Sequence, residues 1–479
     1  YTNEQKNTGY DEFNIDVKWL TALNDKLLLS AAYFKTVQND VPRTHKTINA
    51  VSFSGTSVGS EIERNLDQER ELFYLKLLSS QQFFLADSAE ITLSYQNQNE
   101  ERNRLRSRNR TDQQGVDVNT LGASINAVKA LAHHRLVYGV EYYQDNVNSF
   151  SSKNLIQGPV ADDASYQWLG LYGQTKYPWF EKLTFDVGSR WSYMAHDAKK
   201  VQEPNTGNAI AVSNSWRNLS LNLRGNYQIT PKEKSVYLGL SQGFRAPNLS
   251  DLTRFDSARS NEFEIASPNL SAEHFLTLDS GIKHRSVDFD YNLSIYYTKI
   301  SDQIQRVPTG NINLDGEYEI TKMNIGDGYA YGGEFDFRYM LTEQLKFSAS
   351  MAYIYGKVDT FPRSDQIIER EYLSRLMPTN AKIALHYTPQ LENWWLQSTI
   401  TAYDAGDRLS TRDKSDKQRI PPNGTPGFVT VNLSGGYRIT DETLLTVNVN
   451  NLLDKDYRMH GSGQNEAGIN LVVSLHYQL

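Results

Sequence analysis

Apolar and polar residues alternate along almost the whole chain. In the run Phe289-Asp290-Tyr291-Asn292-Leu293-Ser294-Ile295-Tyr296-Tyr297, Phe289, Tyr291, Leu293, Ile295 and Tyr297 share one parity, and Asp290, Asn292 and Ser294 the other. A side-chain period of two predicts a β-strand with one oily and one wet face. The pattern recurs in Leu183, Phe185, Val187, Trp191 and Tyr193, in Leu219, Leu221, Leu223, Tyr227 and Ile229, and in Leu471, Val473, Leu475, Tyr477 and Leu479. About 19 such strands are expected. They run from near Tyr10 to Leu479 with no linker or low-complexity tract, so residues 1–479 read as one all-β domain.

The connections decide which face is buried. Short ones fall near residues 22–25, 230–234, 285–288, 341–344 and 440–443. Long ones are expected over 38–68, 101–115, 149–164, 197–212, 248–273, 305–317, 358–376 and 407–426. Short and long connections alternate, which is the asymmetry of an outer-membrane β-barrel with short periplasmic turns and long extracellular loops. Arg190 and Arg224 stand mid-strand on the polar face, where a wet lumen suits them better than a dry core. A first and a last strand that both run toward the short turns imply an odd count. Single-chain barrels of this kind normally have an even number, and the large plugged transporters have 22. The expectation is therefore a transmembrane antiparallel barrel seen without its first three strands or so, and without any N-terminal plug.

Composition sharpens the picture. The chain has no cysteine, which removes disulfides and thiolate chemistry. Its formal net charge of −7 gives no reason to expect nucleic acid. Mean hydropathy is −0.57, and no apolar run reaches the ~18 residues of a membrane helix; a membrane barrel needs none. The 29 tyrosines suit interfacial girdles. The start, Tyr1-Thr2-Asn3-Glu4, has neither Met nor a signal peptide, and reads as processed or trimmed.

Four segments carry a resemblance. Gly243-Phe244-Arg245-Ala246-Pro247 looks like the "GFRAP" segment of TonB-dependent outer-membrane receptors, and Ser267-Pro268-Asn269-Leu270-Ser271-Ala272-Glu273 like their "NPNL-x-PE" segment. Asn324-Ile325-Gly326 with Gly332-Gly333-Glu334-Phe335 is similar to the family's "N…A…GxE" strand. Asn450-Asn451-Leu452-Leu453-Asp454-Lys455-Asp456-Tyr457 is similar to its approach to the last hairpin. The four fall in the family's order and cover the C-terminal half; Asn39 to Arg43 gives a weaker hint earlier. Pro247 removes a ladder donor, Gly332 and Gly333 permit a bend or close approach, and Asn and Asp before Tyr457 favour a turn. The motif residues therefore read as strand-end architecture. The resemblance implies an energised importer, with a plug inside the barrel, TonB contacted ahead of the plug, and substrate bound among the extracellular loops. The family usually ends in Phe or Trp; this chain ends in Leu479.

The candidate ligand contacts are Arg102, Arg104, Arg106, Arg108 and Arg110, which share one parity. In the register of the strand below they face the lumen, where they could gather an anionic ligand. Alternatively they pair with Glu61, Glu63, Asp67, Glu69 and Glu71 on the preceding arm, or meet lipopolysaccharide phosphates after a one-residue slip. His45, His196 and His460 lie at the extracellular end; His133, His134, His284, His386 and His476 lie toward the other. No histidine occurs from Asn248 to Ala266, where heme receptors of the family carry one. No hydrolase constellation, metal site or intrinsic cofactor is expected. The leading expectation is import of a scarce large ligand, a ferric siderophore first, then heme or cobalamin. A passive porin is one alternative. The other is a structural or split barrel whose wall a second chain completes.

Overall fold

The computed structural model describes residues 5–132, 134–204, 206–259 and 261–478. Tyr1 to Glu4, His133 and Leu479 therefore lie outside the described residues. Among the described residues, 22 strands form a single sheet. In chain order they are β1 (Asp11–Asn24), β2 (Leu27–Pro42), β3 (Glu63–Ser79), β4 (Ser88–Arg106), β5 (Arg110–Leu131), β6 (His134–Ser151), β7 (Asp162–Phe180), β8 (Leu183–Gln202), β9 (Ala209–Thr230), β10 (Lys234–Arg245), β11 (Asp256–Ser257), β12 (Glu262–Glu264), β13 (Glu273–Arg285), β14 (Phe289–Ile312), β15 (Tyr318–Met340), β16 (Leu345–Thr360), β17 (Glu369–Tyr372), β18 (Asn380–Tyr387), β19 (Trp394–Tyr403), β20 (Phe428–Thr440), β21 (Thr443–Asn450) and β22 (Asn470–Tyr477). Three are short pieces of loop: β11 pairs with β12, β12 runs parallel to β15, and β17 pairs antiparallel with the end of β16 beyond β18. The other 19 make the wall, each antiparallel to its neighbour. β1 pairs with β2 and β22 with β21, and among the described residues no pairing joins β1 to β22. The sheet is therefore open along one seam.

The two faces follow the period of two. Leu219, Leu221 and Leu223 are exposed at 57%, 50% and 48%, as are Leu293, Ile295 and Tyr297, and Leu471, Val473 and Leu475. An apolar band this continuous on an outer surface is a lipid face. The opposite parity carries cross-strand ion pairs: Arg190 with Glu141 at 2.9 Å and Arg224 with Asp279 at 2.6 Å. Each mid-strand arginine thus reaches a carboxylate two strands away, across Gly170 of β7 and Gly239 of β10. In the wall, Gly332 shows the expected close approach: a Cβ there would stand 2.3 Å from the Tyr353 carbonyl oxygen and 2.5 Å from the Tyr296 hydroxyl.

Short turns such as 25–26, 181–182, 286–288 and 441–442 collect at one end. Loops 43–62, 246–272, 361–379, 404–427 and 451–469 collect at the other. Three expected long loops are mostly strand, and one long loop is added. Within 197–212, β8 runs to Gln202 and β9 starts at Ala209. Residues 101–115 are mostly paired strand, with Arg102 opposite Gln114 and Arg104 opposite Asp112, and the turn takes only 107–109. Residues 305–312 likewise continue β14. Both hairpins project past the lipid band, where neither face is apolar and the alternation disappears from the sequence. Conversely, 451–469 is a long loop. Asn451 builds it, in a left-handed conformation at φ 52°. Its side chain donates to the carbonyls of Lys455 and Ala467 at 2.8 and 3.0 Å, and accepts from Lys455 N–H at 2.9 Å.

A candidate functional site in the loops over the barrel mouth

The two motifs that flank loop 246–272 meet in space. Arg245, the last residue of β10, lies opposite Glu273, the first of β13. Its Nε and Nη2 both donate to that carboxylate at 2.6 Å, and its Nη1 donates to Asp251 at 2.6 Å. Asn248 caps the short helix α1 (Leu249–Thr253): it accepts from Asp251 N–H at 2.8 Å, and Asp251 accepts in return from Asn248 N–H. This capping box sets the path of the loop as it leaves the strand. Burial pushes the Asp251 carboxyl up, but Lys322 and Arg245 outweigh it and hold it below its ordinary value. The motif carbonyls also serve as anchors. Those of Pro247, Pro268 and Leu270 accept from Tyr166, Asn214 and Trp216 at 3.1, 2.9 and 3.2 Å.

Deeper in the same loop, Glu264 is fully buried. It meets Arg306 Nε at 2.7 Å, Lys322 Nζ at 2.7 Å and Arg254 at 3.6 Å; the Lys322 contact is an ion pair outside hydrogen-bonding geometry. β12, which carries Glu264, lies on β15 just before Lys322. The loop is thereby folded back against the wall rather than out into solvent.

A second hub is Asp413, also fully buried, in helix α2 (Thr411–Ser415) of loop 404–427. It accepts from Arg259 of loop 246–272 at 3.2 Å, and from Ser374 Oγ and Arg375 N–H of loop 361–379 at 2.9 and 3.1 Å. Arg412 beside it pairs with Glu262 at 2.6 Å. Loop 451–469 joins through Arg458, which is 1% exposed. Arg458 donates to Asn465, to the Gln418 carbonyl of loop 404–427 and to the Val51 carbonyl of loop 43–62. Ser57 N–H donates to the Lys417 carbonyl at 2.9 Å. Loops attached to β2 and β3 thus reach those attached to β19–β22, and the open seam is bridged at this end. The result is a crown of five loops held together mostly by charge.

The arginine stripe is part of this crown. Arg102 is buried and forms a two-pronged pair with Asp256, both contacts at 3.1 Å. Arg104 meets Asp112 at 2.7 Å and Glu61 at 3.3 Å. Arg106 meets Asp315 at 2.9 Å, with Arg110 a further 3.9 Å contact. Arg108 is exposed in the turn, with φ 62°. Of the acidic residues on the preceding arm, only Glu61 reaches the stripe. Glu69 and Glu71 pair with Lys35 instead, Asp67 accepts from Asn103, and Glu63 accepts from Asn65. Parity explains it. Asp67 lies opposite Glu101 and Glu71 opposite Asn97, the face away from Arg102 and Arg104.

The three histidines expected at the extracellular end do not converge. His45 Nε2 accepts from Arg419 Nε and Nη2 at 3.1 and 2.9 Å. His460 Nδ1 contacts Thr425 Oγ1 at 2.9 Å. His196 is buried, stacked on Trp216 at 5.6 Å, and neither of its ring nitrogens has a hydrogen-bond partner. Among the described residues no group of three or more His, Asp or Glu side chains is placed to hold a metal ion.

Burial and the nearby cations Arg419, Lys46, Arg43 and Arg64 push His45 down to about 2. Burial, with Arg375 adding to it and Asp413 opposing it, also lowers His460. A released imidazole titrates near 6.5, so opening the crown takes up protons once the pH falls below that value. Crown stability should be complete above about pH 6.5 and decline steadily below it. Hydrogen exchange at pH 5 against pH 7.5, corrected for intrinsic rates, should show loops 43–62 and 451–469 losing protection while the wall keeps its own. Equal protection at both values would contradict the burial of neutral imidazoles here.

Residues 58–452 match the family model described as TonB-dependent receptor-like, β-barrel. The vitamin B12 transporter BtuB of Photobacterium profundum is 23% identical over 253 residues, a match covering 52% of this chain and 35% of that protein. The chain thus spans about a third of the curated relative it matches. The structure of the copper transporter OprC superposes with a TM-score of 0.78 at 19% identity, covering 98% of this chain and 72% of that one. The siderophore receptor PirA from Pseudomonas aeruginosa gives 0.68 at 15%, covering 98% and 71%. A barrel wall with a lipid-facing band, both flanking motifs joined at Arg245 and Glu273, and the family match across most of its length together place the chain: it is a β-barrel of the TonB-dependent receptor family, a protein of the outer membrane.

Proposed function

We propose that this chain forms most of the barrel of an energised importer, with a large ferric siderophore as its first candidate cargo. The observation that carries this reading is the crown. Five loops are locked over the mouth of a polar-walled barrel by buried ion pairs such as Glu264 with Lys322 and Asp413 with Arg259. Passive diffusion favours an open mouth, so the locked loops argue against a porin. A captured ligand needs walls that surround it and exclude water.

The wall of 19 strands has two unpaired edges, in β1 and β22. Exposed edges of this length invite further pairing, and barrels of this kind close on an even count. In this reading three more strands close the seam, a plug domain fills the lumen, and TonB engages that plug from the periplasm. The same unpaired edges keep one second reading open, in which a separate chain supplies the missing wall. The family relatives named for vitamin B12, copper and a siderophore make a scarce metal-bearing ligand the class to try first. Heme and cobalamin follow the siderophore, and iron would arrive as cargo rather than as a resident cofactor. Lipopolysaccharide would surround the outer rim.

Cells carrying the native protein should accumulate labelled iron from a siderophore mixture under iron limitation. Collapsing the proton-motive force should stop accumulation while leaving surface binding intact. Uptake that continues in de-energised cells would favour a passive channel.

A further inference from the structure

The crown holds a group of cations that its own carboxylates do not neutralise. Arg43 precedes and Lys46 ends the turn at the start of loop 43–62, Arg64 is the second residue of β3, Arg375 belongs to loop 361–379 and Arg419 to loop 404–427. Three carboxylates act on these five cations, and one of them, Asp256 beside Arg64, is already held by Arg102 and Arg254. Asp416 is 2.6 Å from Arg375 and 3.8 Å from Arg419. Glu61 is 3.3 Å from Arg64, but it also serves Arg104 at 3.3 Å. Neither Arg43 nor Lys46 forms an ion pair with a described residue. The Arg419 guanidinium directs two N–H groups at the neutral ring of His45, where an arginine this enclosed ordinarily meets a carboxylate.

The arrangement is built rather than incidental. Loop 43–62 closes on itself through Ile48 N–H to the Glu61 carbonyl and Glu61 N–H to the Lys46 carbonyl, at 2.9 and 3.1 Å. Gly59 lies so close beneath that a Cβ on it would stand 2.0 Å from the Lys46 carbonyl carbon. Across the loops, a Cβ on Gly463 would stand 2.5 Å from the His45 ring. The cations are therefore held together by backbone packing, against their mutual repulsion. Burial and the charges of Arg64 and Arg419 bring Lys46 down to about 8, with Asp416 and Glu61 opposing.

We infer that Arg43, Lys46, Arg64, Arg375 and Arg419 form an oxyanion-binding nest for a soluble, multiply charged ligand bearing phosphate or carboxylate groups. Planar guanidinium forks match the oxygens of such groups in pairs, and an incoming anion supplies the counter-charge that partly buried cations otherwise lack. The nest faces inward: Arg64 lies opposite Arg104, on the lumen side of the wall. This points to a ligand entering the mouth rather than to phosphates of the surrounding lipid. The inference deepens the importer reading only in treating the anion as cargo; binding itself needs neither TonB nor energy, so it can fail or succeed independently of uptake.

The test is titration calorimetry of the native protein, purified from outer membranes in detergent, with pyrophosphate as the probe. One saturable site is expected, weakening as salt is raised. The Arg43→Gln/Lys46→Met double variant should bind at least tenfold more weakly, with unchanged thermal unfolding. Lys46→Arg should retain affinity, as should Lys26→Met at the short-turn end. Absence of saturable binding to the native protein, or equal affinity in the double variant, overturns the inference. So does competition by lipopolysaccharide micelles, which would assign the cations to the membrane surface.

Discussion

Replacing Glu264 with alanine should free loop 246–272 from the wall while leaving the wall folded. Glu264 is the shared counter-ion of Arg306 and Lys322, and its own side chain and that of Lys322 are almost wholly out of solvent. Removing it leaves Lys322 with Asp251 as its one ion-pair partner among the described residues, at 3.0 Å, and Arg306 to a solvent it already touches, so the cost is that of lost charge-assisted contacts, about 1.5–3 kcal/mol. The remaining carboxylates are shared: Asp251 also serves Arg245, and Asp256 serves Arg102 and Arg254. Opening of the loop should rise by roughly ten- to a hundredfold, read as lost exchange protection and faster proteolysis within 246–272. Glu264→Gln, which keeps the shape but not the charge, should lie between the two. Unchanged protection in the alanine variant would show that β12 holds the loop by backbone pairing alone.

The second large effect concerns the wall. Leu221→Arg should destabilise the folded barrel in lipid vesicles by about 2–4 kcal/mol, the cost of an arginine on the lipid face near mid-membrane. Its neighbour Asn222 has the opposite parity, beside Arg224 and Asp279, and Asn222→Arg should change stability by less than about 1 kcal/mol. Urea unfolding of the two variants in the same vesicles gives the comparison. A reversed order would mean that the lipid and lumen faces have been exchanged.

The wall was legible in the sequence because lipid on one side and water on the other impose a period of two. The run from Phe289 to Tyr297 displays it, and β14 begins at Phe289. Where both faces meet water the signal vanishes, which is why 101–115 and 305–312 read as loop and are strand. The motif at Arg245 and Glu273 was visible as a pattern, but its physical basis, a two-pronged ion pair at a shared register position, was not. The crown was almost illegible. Arg102 finds Asp256 154 residues away, Arg106 finds Asp315 at 209, and Arg419 finds His45 at 374. No fixed spacing announces such pairs, and Glu264, Asp413 and Arg458 look in the sequence like any other charged loop residue. The unpaired character of Arg43 and Lys46 is likewise a property of the assembled loops.

The central claim is that a plugged, energised barrel is built around this wall. Intact-mass analysis with N-terminal sequencing of the protein from native outer membranes tests it most directly. The account predicts a mature protein well above the 54.6 kDa of this chain, extended upstream by a plug domain and three strands that close the seam between β1 and β22. A mature protein of that mass, beginning near Tyr1 and with no companion chain in the same particle, would contradict it.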